Sequence, residues 1–292
     1  MRIFSISISW LVLLLIPPIP VYAGTKELAI TFDDLPAALV PTHAEQLRVN
    51  QRILDILNKY QIKATGFVIG IKSFGRADIL NLWLEQGHDL GNHTYSHVDF
   101  DMADVFSFQM DIIRGAFEIE KLLRDHQKRL TYFRFPYLHT GNNLEKREGI
   151  RKFLRENYYI IAPVTIDPCD WAYNNQLFKS RRAQNKEEQE QIKASYLERI
   201  KRATQEAEIL SWERFGRNIK HVLLLHLNRI NAEVLDKIIE YYSLSGYSFI
   251  SLEEALKDSA YSSEGELIEP ESLTWPVRPV SGFHKEISEK VR

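Results

Sequence analysis

The sequence predicts an α/β domain built on a parallel sheet, with its chemistry gathered at the carboxyl ends of the strands. Three observations lead there. Short apolar runs alternate with segments of helical periodicity along most of the chain, the pattern of strand–helix–strand crossovers. Five of the apolar runs are followed at once by titratable residues. The chain has 292 residues, 45% of them hydrophobic, enough for one large core.

Taken in order, 26–32 (KELAITF) reads as a buried strand. A helix over 42–60 carries apolar spacing at Leu47, Leu54 and Leu57, with Thr42 and Glu45 placed for a capping box. Strand 62–69 follows, then helix 77–86, which Gly87 ends. Next come a short strand at 88–92, a long amphipathic helix at 104–124 and a strand at 132–135 stopped by Pro136. Helix 145–157, strand 158–166, a charged helix at 187–210, strand 221–225, helix 232–244 and strand 247–250 complete the series. Seven or so such units fit a closed or nearly closed barrel, or an open doubly wound sheet. The stretch 176–208, rich in Lys, Arg, Glu and Gln, reads as a solvated helical face inserted between two strands.

Residues 1–23 have the layout of an export signal. Arg2 is the basic start, 10–16 the apolar stretch and Val21-Tyr22-Ala23 a small-residue cleavage site. Pro17, Pro18 and Pro20 break the run before it reaches spanning length. The expectation is an exported protein, periplasmic or secreted, with an uncleaved N-terminal anchor as the alternative; no later stretch is apolar enough to span a bilayer. The domain is expected over 24–257, with a helical insertion at about 172–218 and an extended tail at 258–292. A net charge of -2 excludes the basic surface that a nucleic-acid partner needs, and the chain is read as a monomer. Cys169 is the sole cysteine, so no intramolecular disulfide forms. Its acidic neighbours Asp167 and Asp170 are a poor setting for a thiolate, and it reads as a packed thiol.

His93 and His97 are four residues apart, a spacing at which one helical turn aims both imidazoles at a point. With one carboxylate of Asp33-Asp34 they make a three-ligand set with an open fourth position, the pattern of a catalytic metal site, and the other carboxylate is left to act as a base. Arg134, Pro136 and Tyr137 follow another strand, Asp167, Asp170 and Trp171 a further one, and His226 ends HVLLL. In a parallel barrel all these strand ends share one face.

These segments resemble the polysaccharide deacetylase family, also called the NodB homology domain or carbohydrate esterase family 4. The matching motifs are T-F-D-D at Thr31–Asp34, H-[ST]-x-x-H at His93–His97, R-x-P-Y at Arg134–Tyr137, D-x-x-D-W at Asp167–Trp171 and L-x-H at Leu224–His226. The resemblance implies a single-domain, distorted (β/α) barrel of about seven parallel strands. It also implies a metal-dependent hydrolase that removes N-acetyl groups from N-acetylglucosamine units of a glycan such as peptidoglycan, a chitin-like oligomer or a matrix polysaccharide. By the same resemblance Asp34, His93 and His97 hold a divalent metal, Zn2+ first, with Co2+, Ni2+ or Fe2+ suited to the same donors. Asp33 is the base that takes a proton from the attacking water, kept ionised by Arg134; His226 is the acid that protonates the amine, oriented by Asp170. The backbone N–H of Tyr137 stabilises the oxyanion, and Tyr137 and Trp171 offer flat faces to the sugar. A non-sugar amide as substrate and a non-catalytic glycan binder are the competing readings. The chain departs from the family at Leu35-Pro36, where Gly-Pro is usual, at Leu138-His139, where Gly is common, and at His226-Leu227-Asn228, which lacks the frequent Asp. His139 reads as a surface histidine, Asp167 as a turn cap, and His43, His88, His126 and His221 as structural or solvated.

Overall fold

The computed structural model describes residues 26–37 and 39–261; the signal-like leader and all but the start of the tail lie outside them. Strand β1 (Lys26–Leu35) is central. It pairs in parallel with β2 (Thr65–Val68) and β6 (His221–His226), and its first residues pair with β7 (Tyr247–Ile250). Beyond β2 the sheet continues through β3 (Asp89–Asn92), β4 (Tyr132–Phe133) and β5 (Ile160–Ile161), every pairing parallel. Ile166, shortly after β5, bridges to Leu223 of β6, so the curled sheet nearly returns on itself as a distorted barrel. Seven strands among the described residues match the expected number.

Sequence dictates this centre. Leu28, Ala29, Ile30 and Phe32 of β1 and Val222, Leu223 and Leu225 of β6 are all but fully buried, as expected of strands covered on both faces. Helix α1 (His43–Lys59) packs Val49, Ile53, Leu54 and Leu57 inward. Thr42 caps α1 by accepting from the Glu45 amide, but the Glu45 carboxylate accepts from Arg229 and leaves the capping box half made. After the short α2 (Gly70–Ser73), α3 (Ala77–Glu85) ends at Gly87 with φ of 81°. Helices α4 (Val105–Asp125) and α5 (Leu144–Glu156) start at the side-chain caps Asp104 and Asn143.

Two expectations change. The run 158–166 is not one strand. Pro163 interrupts it, and the Arg134 side chain takes the carbonyls of Ala162 and Pro163, which are then lost to a ladder. The run therefore pairs with β4 at one end and β6 at the other. The inserted region is two helices, α6 (Asp170–Arg182) and α7 (Lys186–Phe215), and α7 is not merely a solvated face. Ile192, Tyr196, Ile200, Ala203 and Ala207 recur at helical spacing and are buried where α7 packs on α6 and on α8 (Arg229–Leu244). A four-residue helix, α9 (Leu252–Ala255), closes the foot of β1 and β6.

Candidate active site

Parallel pairing sets the first relation in the site: Asp33 of β1 is the register partner of His226 of β6, and the Leu227 amide donates to the Asp33 carbonyl (3.0 Å). Asp34 follows with φ of 65°. That left-handed turn breaks the alternation that would send consecutive side chains to opposite faces. Both carboxylates consequently lie beside His93, whose Nε2 is 3.6 Å from Asp33 Oδ2 and 3.8 Å from Asp34 Oδ1. His97 Nε2 is 3.4 Å from the same Asp34 oxygen.

His93 and His97 do not lie on a helical turn. They flank an irregular loop after β3, in which Thr94 (φ 63°) and His97 (φ 60°) are left-handed. The loop is held from several sides. Asn92 accepts from the Thr94 amide and donates to the Ile112 carbonyl. The amides of Gly70 and Ile71 donate to the carbonyls of Thr94 and Tyr95, and Asp111 accepts from both the amide and the hydroxyl of Ser96. His93 is buried; its Nδ1 donates to the Arg134 carbonyl (2.9 Å), which leaves Nε2 as the lone-pair donor. Burial pulls its pKa down to about 3, so the ring is neutral, as a ligand must be.

Asp34, His93 and His97 offer donor atoms all within 4.8 Å of one another. Asp34 Oδ1 is buried and has no hydrogen-bond partner. A carboxylate oxygen orphaned beside the Nε2 atoms of two histidines fits a divalent cation in chemistry and in spacing.

Arg134 is fully buried. Its Nη1 donates to Asp33 Oδ1 (3.0 Å) and to Thr31 Oγ1 (2.8 Å), and its guanidinium lies 4.3 Å from the Phe67 ring centroid. Burial pushes the pKa of Asp33 above the ordinary aspartate value, against the pull of Arg134, His226 and His97. Burial would lower His226, but Asp170 overrides it: the 2.6 Å contact from Nδ1 to Asp170 Oδ1 and the charges of Asp34 and Asp33 raise it to about 10. Asp170 is completely buried, yet its pKa is lowered, because burial is outweighed by His226 and the amide of Asn231. Its Oδ2 also accepts from the His226 amide (2.8 Å) and from Asn228 (2.9 Å).

Tyr137, 59% exposed and with φ of 58°, sets its ring edge-on to His97 at 4.6 Å between centroids. Trp171 stands beside Asp170 at the start of α6, 39% exposed. Asp167 accepts from the Cys169 amide (2.7 Å), the capping role read for it. Cys169 is buried, and burial and Asp167 push its thiol up to about 12, as an inert thiol requires. His139 is surface-exposed and pairs with Asp99 (2.8 Å). Thr31, Asn92, Asp111, Gly115, Asn228 and Asn231 support the site without having stood out as supports in the sequence; Asn92, directly before His93, carried the one available signal.

A family profile described as polysaccharide deacetylase matches residues 21–152. A peptidoglycan-N-acetylglucosamine deacetylase of Bacillus cereus is 30% identical over 145 residues, 50% of this chain and 46% of that protein. A second one from the same organism is 33% identical over 149 residues, 50% and 61% of the two chains. The chain thus spans about half the length of these curated relatives. Among solved structures, a carbohydrate esterase family 4 pseudoenzyme from Bacillus anthracis superposes with a TM-score of 0.58 at 18% identity, covering 80% of this chain and 66% of that one. The peptidoglycan deacetylase PdaC from Bacillus subtilis gives 0.52 at 26% identity, covering 80% and 93%. Profile, relatives and fold thus agree that the chain is similar to the polysaccharide deacetylase family, over 21–152 by the profile.

Proposed function

We propose that this protein is an exported, metal-dependent hydrolase that removes N-acetyl groups from N-acetylglucosamine units of a glycan. The observation that carries the reading is the meeting of a cation-ready triad with a buried carboxylate and a histidine in strand register, Asp33 and His226. A bound divalent metal, Zn2+ by donor type, supplies Lewis acidity toward the acetyl carbonyl and a lower pKa for water. Asp34, His93 and His97 hold it.

The remaining chemistry belongs to the chain. Asp33 takes the proton from the attacking water; burial raises its basicity while Arg134 fixes its geometry. His226, protonated through its pairing with Asp170, delivers a proton to the departing nitrogen, and the products are acetate and a free amine. The Tyr137 amide is the proposed donor to the developing oxyanion, and the exposed faces of Tyr137 and Trp171 are the proposed sugar platform. A glycan substrate is supported by relatives named peptidoglycan-N-acetylglucosamine and chitooligosaccharide deacetylases. Export rests on the 1–23 leader; no helix of the described residues is long and apolar enough to cross a membrane. Acetate release from a panel of acetylated glycans, with and without chelator, tests the reading. Chelator-sensitive release supports it, and a metal-loaded protein that releases acetate from none overturns it.

A further inference from the structure

We propose that α7 belongs to the acid half of the active site: Tyr196 and Asn231 are positioning residues that hold Asp170, and through it His226, in the orientation that protonates the leaving amine. The inference rests on the deacetylase reading above. Tyr196 and Asn231 are both fully buried. The Tyr196 hydroxyl donates to Asn231 Oδ1 (2.7 Å). Asn231 Nδ2 donates to Asp170 Oδ2 and to the His226 carbonyl (2.9 Å). An amide can present either end to a carboxylate, and only the N–H end is attractive. The carbonyl end of Asn231 is committed to the tyrosine hydroxyl, so the N–H end faces Asp170. Loss of the hydroxyl leaves the buried Asn231 carbonyl oxygen without its partner, so the side chain is held only by its N–H end, at Asp170 and at the His226 carbonyl. Its shift moves one of the three donors on Asp170 Oδ2, and with the carboxylate the imidazole bonded to the other oxygen. Tyr196 stands on the buried face of α7, its ring 5.3 Å from that of Tyr173 on α6, and lies outside every strand-end motif.

The role predicts a selective defect. In amide cleavage the C–N bond breaks as His226 passes a proton to nitrogen, which departs as amine. In an aryl acetate the C–O bond breaks and the phenolate departs without that proton. Full-length, metal-loaded wild type, Tyr196→Phe and Asn231→Ala are compared on an acetylated chitooligosaccharide and on an aryl acetate. Tyr242→Phe is the control, since it removes another buried hydroxyl of the same region, one bonded to Thr204 (2.8 Å). Tyr196→Phe and Asn231→Ala are expected to lower kcat on the amide about tenfold or more, with KM and the ester rate held. In parallel, the far-downfield proton NMR signal of the His226–Asp170 hydrogen bond shifts in both variants and stays put in Tyr242→Phe. Amide and ester rates falling together, or Tyr196→Phe matching Tyr242→Phe, overturns the inference. Should wild type cleave no acetylated glycan, the deacetylase reading fails by itself, and the NMR signal still decides the positioning: an unmoved proton refutes it.

Discussion

In the proposed mechanism the chain neighbours Asp33 and Asp34 take separate tasks because the backbone turns between them. A regular strand would point one into the barrel mouth and the other away; the left-handed Asp34 brings both to His93. Aspartate tolerates that conformation better than most residues, at a cost of about 1–3 kcal/mol that the surrounding packing sustains. Asp34→Asn keeps the size and the turn preference but removes the charge, so a loss of metal affinity of about tenfold or more, read by metal titration, is expected with little change in fold. Away from the site, His88 and His221 are buried and held neutral, each with its pKa pulled down to about 4 by burial. A histidine whose folded pKa is below its unfolded value makes the unfolded state the better proton binder. The stability of the metal-free protein should therefore fall as pH drops from about 6.5 to about 4, by on the order of 2–3 kcal/mol per histidine. Denaturant midpoints across that range, in wild type and in His88→Gln, check it: the variant should show the shallower slope.

At the scale of elements, the loop carrying His93 and His97 depends on the close approach of α4. A Cβ built on Gly115 would stand 2.7 Å from Asn92 Oδ1 and 2.7 Å from the Thr94 carbonyl carbon. Gly115→Ala is expected to cost about 1–3 kcal/mol of stability and to weaken metal binding by displacing the loop, measured by thermal unfolding and metal titration. A second close approach involves the family departure at Leu35. A Cβ on Gly66 would meet the Leu35 side chain at 2.4 Å, so a bare glycine on β2 makes room for the leucine on β1. These dependences show where the sequence was legible and where it was not. Runs such as HVLLLH and KELAITFDDL announce a buried strand with polar residues at its end, because burial of both faces permits only apolar side chains until the strand leaves the sheet. The histidine spacing was ambiguous: four residues suit a helical turn, and a loop with left-handed Thr94 and His97 satisfies it equally. The break in 158–166 was hidden because its cause, Arg134, lies on another strand. Tyr196 and Asn231 were invisible as partners because 35 residues separate them.

For the whole molecule, the barrel acts as a device that gathers strand ends. Asp33, Asp34, His93, Arg134, Asp170 and His226 come from segments far apart in the chain, and one curled parallel sheet delivers them to one face. On the proposed function, metal binding would stabilise the entire fold by mass action, since the unfolded chain has no such donor cluster. At a free concentration a thousandfold above Kd the gain is about 4 kcal/mol, and chelation should lower the melting temperature accordingly. The central claim is that Asp33 does chemistry beside a metal it does not itself hold. Acetate release by wild type and by Asp33→Asn, each loaded to the same measured metal content, tests it most directly. The account predicts equal metal content with a fall in kcat of about a hundredfold to ten-thousandfold in the variant. Undiminished acetate release from the metal-loaded variant would contradict it.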